Sequence, residues 1–195
     1  MKLELHNADC MEIMAGYPDN YFDLAVVDPP YGIGAGEMTM GSGVHKFKKG
    51  KNWDSAIPNG AYFDELFRVS TNCVIWGGNY FTEHLPPTSH WLLWDKKNAG
   101  LSFAEGELAW VLNGKNLRIF YWCSTVFRDG GKIHPTQKPA ELYKWIYANY
   151  AKPDMKILDT HLGSGSNAIA AYEMDMGEFV GCELDPDYFA AAKKR

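Results

Sequence analysis

Lys156-Ile-Leu-Asp159-Thr-His-Leu-Gly163-Ser-Gly165-Ser166, then an apolar segment, then Glu178-Phe-Val-Gly-Cys-Glu183 reads as a strand, a glycine turn, a helix and a second strand ending in an acid. Glycines at such a turn let the backbone approach a ligand closely, and the free amides that open the helix attract a carboxylate or a phosphate. Tight strand-to-helix turns also need glycine for structural reasons, so the turn alone is a weak signal. Glu183 stands 18 residues beyond Gly165 and strengthens it, because an acid at this strand end can hold both hydroxyls of a ribose. Ala168 occupies the position three beyond Gly165 where dinucleotide sites usually carry a third glycine, and Asp159 would repel a pyrophosphate. A cationic ligand suits that carboxylate better, as the ammonium and sulfonium of S-adenosylmethionine would.

Outward from this unit, short apolar runs alternate with helical patterns: Leu3–Leu5, Leu24–Val27, Cys73–Trp76, Trp91–Trp94, Leu108–Leu112, Leu117–Trp122, Ile157–Leu158 and Phe179–Cys182. The alternation predicts an α/β fold, a mostly parallel sheet with helices on its faces. Only Asn113–Asn116 separates the runs Glu107–Leu112 and Leu117–Cys123, which predicts an antiparallel hairpin between them. Helices are expected at Asp9–Ala15, Ala61–Val69, Pro139–Ala151, Ser166–Met176 and Pro186–Arg195. In the third, Leu142, Trp145, Ile146 and Asn149 share one face, and Pro139 sits in the permitted first turn. Residues 32–59, glycine-rich and aperiodic, read as one long loop. No repeat or boundary divides the chain, so 1–195 is expected to form one domain.

Composition sets the outer limits. The chain has 195 residues, 46% of them hydrophobic and 22% charged, enough for a filled globular core without disulfides or a structural metal. No apolar stretch is long enough for a membrane span and the first residues lack the core of a signal peptide, so an intracellular protein is expected. Cys10, Cys73, Cys123 and Cys182 form no C-x-x-C pair; buried reduced thiols are expected, and no metal site. A formal charge of −5 argues against nonspecific coating of nucleic acid, yet Lys46, Lys48, Lys49 and Lys51 cluster without an acid. Lys115, Arg118, Arg128, Lys132 and Lys138 stand against Asp129 alone in 113–138. Two solvated loops would account for both clusters.

A second chemical signal lies near the front. The apolar strand Leu24–Val27 runs directly into Asp28-Pro29-Pro30-Tyr31. Two prolines cannot continue a central strand, so they stiffen the chain where it leaves the sheet, at the carboxyl edge where ligands bind in open α/β sheets. A rigid carboxylate and a neighbouring main-chain carbonyl can accept both hydrogens of an exocyclic amino group while Tyr31 stacks on the attached base. That arrangement localises the nitrogen lone pair for attack on a methyl group. A proline turn with a capping aspartate and a core tyrosine would leave the same residues.

Asp28-Pro-Pro-Tyr31, His134-Pro-Thr-Gln-Lys-Pro139, Asp159 through Gly163-Ser-Gly165, and Gly181-Cys-Glu183-Leu-Asp-Pro-Asp-Tyr188, in this order, resemble the β-group DNA amino-methyltransferases over nearly the whole chain. The resemblance implies a Rossmann-like S-adenosylmethionine-dependent methyltransferase fold in circularly permuted motif order, so that Lys2–His6 follows Glu183 in the sheet. It also implies the cofactor S-adenosylmethionine, a duplex DNA partner whose target base is flipped out, and a place in restriction-modification in a bacterium or phage. By the same resemblance Asp28 and the Pro29 carbonyl bind the amino group, with Pro30 and Tyr31 completing the catalytic corner. Gly163, Ser164, Gly165 and Ser166 surround the methionine part, Thr136 and Lys138 approach its carboxylate, and Glu183 binds the ribose. Asp9 and the Cys10 backbone meet the adenine edge. Aspartate at position 28 is commoner among adenine-N6 enzymes, which makes adenine N6 the expected target; cytosine N4, or a module that binds without turnover, are the alternatives.

The chain departs from that family twice. Asp159-Thr160-His161 replaces the usual Asp-Pro-Phe, and His161 can take over the aromatic wall of the cofactor site or play no part in it. Target recognition has only the short segment 96–133, so reading of DNA would be minimal, shared with the Lys46–Lys51 loop, or supplied by the second subunit of a homodimer. His134 needs no role as general base, since the methylated amine is itself a strong acid. Trp91, Trp94, Trp110 and Trp122 are expected in the core, whereas Trp53 is a candidate contact to a base.

Overall fold

Leu24, Ala25, Val26 and Val27 are all fully buried, with alternate side chains facing opposite helical layers, as expected of a strand deep in a two-faced sheet. The computed structural model describes residues 1–35, 52–100, 104–123 and 132–195. In chain order they form β1 (Lys2–His6), α1 (Cys10–Ala15), β2 (Leu24–Val27), α2 (Gly60–Val69), β3 (Cys73–Trp76), β4 (Trp91–Asp95), β5 (Gly106–Val111), β6 (Arg118–Tyr121), α3 (Ala140–Tyr150), β7 (Lys156–Asp159), α4 (Ser166–Glu173), β8 (Glu178–Cys182) and α5 (Pro186–Ala192). Side-chain caps open three helices: Asp9 accepts from the Met11 amide, Asn59 from Tyr62, and Asp185 from Asp187 and Tyr188.

The strands lie in the order β1-β8-β7-β2-β3-β5-β4-β6. β1, β8, β7, β2 and β3 are mutually parallel, and β1 follows β8 as the permuted order implies. From β7 the chain crosses through α4 to β8 on one side; from β2 it crosses through α2 to β3 on the other. The sheet therefore switches direction between the adjacent strands β7 and β2, and a ligand crevice is expected outside their carboxyl ends. Leu24, Val26, Val74 and Trp76 pack with Leu142, Tyr143, Ile146 and Tyr147 of α3 and with Ala170 and Ala171 of α4. Ala25, Val27, Cys73 and Ile75 pack with Tyr62, Phe63 and Leu66 of α2. Each such fully buried aliphatic or aromatic side chain contributes about 1.5–3 kcal/mol.

The expected hairpin is not formed. β5 pairs antiparallel with both β3 and β4, so neither of its edges is open to β6, and β6 pairs instead with the outer edge of β4, parallel to it. β6 runs opposite to β5 as expected but one strand further away; the six residues 112–117 suffice to step over β4. The buried face of α3 is Leu142, Tyr143, Ile146 and Tyr147, turned from the expected one: Trp145 is only half-buried, against Phe120, and Asn149 bonds the Trp145 carbonyl. Pro139 is the residue just before α3, α4 stops at Glu173, and α5 at Ala192. Of the loop 32–59, residues 36–51 with the lysine cluster lie outside the described residues, and the rest is irregular apart from one 3-10 turn at Asn52–Asp54. Residues 101–103 and 124–131 of the segment 96–133 also lie outside them.

All four cysteines are free thiols, Cys73 and Cys182 buried, Cys10 and Cys123 partly exposed rather than buried. Trp94 and Trp110 are core residues, while Trp91 and Trp122 lie at its margin. No helix among the described residues is long and apolar enough to cross a membrane.

Candidate active site

Where β2 ends, Asp28 is fixed from two sides. Its Oδ1 accepts the Tyr31 hydroxyl at 2.6 Å and its Oδ2 accepts Lys138 Nζ at 2.6 Å. Tyr31 is in turn fitted to Gly77 at the end of β3: that glycine has φ +72°, and a Cβ there would stand 2.2 Å from Tyr31 Cε1. Tyr80 stacks on the Tyr31 ring with centroids 5.0 Å apart and planes 16° from parallel. Behind the corner, the Asp54 carboxylate accepts the Gly32 and Ala35 amides at 2.9 and 2.7 Å and closes the turn that follows. Burial raises the Asp28 pKa; Lys138 opposes that rise and the Glu107 carboxylate adds to it.

Where β7 ends, the chain takes left-handed angles at Gly163 (φ +52°) and Gly165 (φ +74°). The Glu183 carboxylate accepts the Gly163 amide at 2.8 Å through one oxygen and the Asp185 amide at 2.9 Å through the other. Arg195 donates to the Ser164 carbonyl at 2.8 Å and to Ser166 Oγ at 3.1 Å, clasping the turn from α5. A Cβ at Gly163 would meet only the His161 carbonyl, at 3.8 Å, whereas one at Gly165 would press on Ala192 at 3.3 Å. Glycine at 163 thus keeps the approach open, and at 165 it serves helix packing.

Asn167, buried in α4, joins the two strand ends. Its amide donates to the Val26 carbonyl and to Asp159 Oδ2, each at 2.9 Å, and its oxygen accepts the Tyr147 hydroxyl. Both corners open on one cleft. Asp28, Pro30 and Lys138 line it from the first corner; His161, Leu162, Gly163, Ser164 and Glu183 line it from the second. Trp53, His134 and Tyr188 form an aromatic wall, with ring centroids 5.2 Å apart for the first pair and 4.3 Å for the second. His134 Nδ1 accepts the Thr136 amide at 3.3 Å, so the ring is held rather than poised as a base.

The residues that the sequence singles out do not all reach the cleft. Asp28, Pro30, Thr136, Lys138, His161, Gly163, Ser164 and Glu183 line the cleft; Asp159, Gly165 and Ser166 stand behind its wall. Pro29 is buried and Tyr31 packs beneath Asp28 with Tyr80 and Gly77 against its ring, and neither Pro29 nor Tyr31 lines the cleft. Asp9 caps α1 at the same sheet edge, and neither it nor Cys10 lines the cleft. Lys138, expected to approach a methionine carboxylate, points its ammonium at Asp28, Glu107 and Tyr31. His161 lines the cleft as a neutral ring: burial holds its pKa down to about 4, and its Nδ1 lies 2.9 Å from Thr160 Oγ1. Burial also pushes the Asp159 carboxyl up to about 7, against the hydrogen bonds from Asn167 and the His161 amide. Glu107, Tyr188 and Arg195 escaped notice as site residues. Glu107 had a signal, being the lone acid within the half-buried apolar strand Gly106–Val111. Among the described residues no group of His, Cys, Asp or Glu could hold a metal ion.

The fold and the permuted order of the two corners define the α/β class of S-adenosylmethionine-dependent methyltransferases. A family model described as DNA methylase matches residues 105–194, which include the glycine turn and Glu183 but not the Asp28 corner. The type II methyltransferase M2.MboI of Moraxella bovis is 21% identical over 98% of this chain and 86% of its own length. Among solved structures, the M1.HpyAVI–SAM complex aligns over 98% of both chains at 18% identity with a TM-score of 0.67. The cytosine-N4-specific PvuII DNA methyltransferase aligns over 99% of this chain and 86% of its own at 13% identity and a TM-score of 0.66. The motif order, the fold and these matches support a β-group N6/N4 DNA methyltransferase.

Proposed function

We propose that this protein transfers a methyl group from S-adenosylmethionine to the exocyclic amino group of a base in duplex DNA, with adenine N6 as the target. The observation that carries the reading is the shared cleft, into which the Asp28 corner and the Gly163-Ser164 turn open from adjacent strands. The residues present fit the cofactor: the Glu183 carboxylate, held by two amides, lines the cleft as a ribose-binding acid would, and Gly163 leaves bare the space a side chain would fill. When bound, S-adenosylmethionine supplies an electrophilic methyl on a sulfonium.

The chain's own work is to hold the nucleophile. An ionised carboxylate has about four acceptor positions, and at Asp28 two are taken by Tyr31 and Lys138. The remaining ones, with the Pro29 carbonyl, accept the hydrogens of the amine and localise its lone pair. Once methylated, the amine would give up its extra proton, and Asp28 or water would accept it. An amino group paired inside a duplex cannot reach such a corner, so the base must leave the stack. A homodimer would add recognition surface to the short segment 96–133.

Asp28 favours adenine through the family pattern; the structural match to a cytosine-N4-specific enzyme favours cytosine N4 as the second reading. Incubation with methyl-tritiated S-adenosylmethionine and DNA, digestion to nucleosides and mass identification decides between them. The expected product is N6-methyladenine, lost with Asp28→Ala; N4-methylcytosine alone would establish the second reading, and no product would overturn both.

A further inference from the structure

Lys138 is the most buried cation of the cleft, its side chain 2% exposed, and it stands where the family pattern would have it meet the cofactor. Its ammonium lies 2.6 Å from Asp28 Oδ2, 3.0 Å from Glu107 Oε2 and 3.2 Å from the Tyr31 oxygen. Two hydrogen bonds, to Asp28 and Tyr31, and the Glu107 charge already hold the ammonium, so a ligand carboxylate would have to compete with them. Glu107, from the first residues of β5, is shared in turn with Lys96 at the end of β4, Nζ 2.5 Å from Oε1. Among the described strands, β5 alone runs against the others, and it thereby brings its amino end, and Glu107, to the carboxyl edge where Asp28 sits.

We propose that Lys138 and Glu107 are positioning residues for the amine-binding corner: Lys138 orients and charges the Asp28 carboxylate that receives the substrate amine, and Glu107 holds Lys138 there from the neighbouring strand. The proposal rests on the reading of Asp28 given above and removes Lys138 from the cofactor's carboxylate. The signs within the cluster are opposed. Lys138 favours the ionised form of Asp28, whereas the Glu107 charge disfavours it. Against burial, Lys138 and Lys96 hold Glu107 down at about 2, so Asp28 is the carboxylate of the pair that takes up a proton first. The other groups facing Asp28 are the Tyr31 hydroxyl, Tyr143 of α3 and Asp159 of β7; Lys132 interacts electrostatically with Lys96 and Glu107. Tyr31 and Tyr143 are held protonated well above their ordinary range, chiefly by burial, and so add no charge at neutral pH.

The test is a carbon-13 NMR titration of the cofactor-free full-length protein labelled at the aspartate carboxyls, with Asp28→Asn to assign the resonance and circular dichroism to verify folding. Lys138→Met is expected to move the Asp28 midpoint up by about one pH unit or more, and Glu107→Gln to move it down. A merely structural role does not produce opposite shifts from two neighbouring substitutions. Calorimetry with S-adenosylmethionine adds a second readout: Lys138→Met should leave the cofactor Kd within about twofold while single-turnover methyl transfer falls at least about tenfold. Midpoints that stay put or move in the same direction, or a cofactor Kd that weakens about tenfold on Lys138→Met, overturn the proposal. Should the wild-type protein methylate no DNA, the reading of function fails, and the NMR titration still decides whether Lys138 and Glu107 govern Asp28.

Discussion

Asp159 and His161 are two residues apart, and their buried environments push them in opposite directions. Asp159 is raised from the usual 3.8 to about 7, and His161 lowered from the usual 6.5 to about 4. Between about pH 4 and 6.5 the unfolded chain therefore carries its proton on the histidine and the folded protein on the aspartate. Both states hold one, so the pair adds no pH dependence to stability there. Each substitution uncovers the other residue. In Asp159→Asn only His161 remains, neutral when folded and protonated when unfolded, and stability should rise from pH 4 to 6.5, by up to about 1.4 kcal/mol per pH unit. In His161→Gln only Asp159 remains, protonated when folded, and stability should fall as pH rises from 4 to 7. Urea unfolding across that range checks both; slopes of the same sign would contradict the assignment. At this scale the sequence spoke clearly for groups whose place follows from a motif, such as Asp28, Gly163 and Glu183. It was silent on Lys138 against Glu107, because that pairing joins positions 31 residues apart through a strand order no local pattern encodes.

Among the elements, β3 and the turn after it bear most directly on the site. Gly77 has both a left-handed backbone and the Tyr31 ring where a side chain would go, so Gly77→Ala must shift either the turn or Tyr31. The expected cost is about 2–4 kcal/mol in denaturant unfolding, with methyl transfer lost in whatever protein still folds, since Tyr31 holds Asp28. An unchanged midpoint and full activity would show that the Tyr31 contact does not matter. The strand and helix positions were largely legible, because apolar runs and caps such as Asp9, Asn59 and Asp185 are local signals. The partners of β5 and β6 were not. A short linker favours a hairpin, but insertion of β5 between β3 and β4 filled both its edges and sent β6 to the outer edge of β4. The turned face of α3 has a similar origin: Tyr147 is drawn inward by its hydrogen bond to buried Asn167, which outweighs the pull of Trp145.

For the whole molecule, permuted connectivity is the feature that makes a site from two distant sequences. The Asp28 corner lies near the front of the chain and the glycine turn near its back, yet β2 and β7 are neighbours at the switch point of the sheet, so their loops leave the same edge side by side. Asn167 then bonds both strand ends, which makes the spacing of the corners a property of the core rather than of mobile loops. The most direct measurement is a crystal structure of the protein with S-adenosylmethionine bound. The account predicts the ribose hydroxyls on Glu183, the methionine part against Gly163 and Ser164, and the sulfonium methyl directed at the Asp28 carboxylate with room for one amino group between them. A cofactor seated elsewhere, or one whose methyl points away from Asp28, would contradict it.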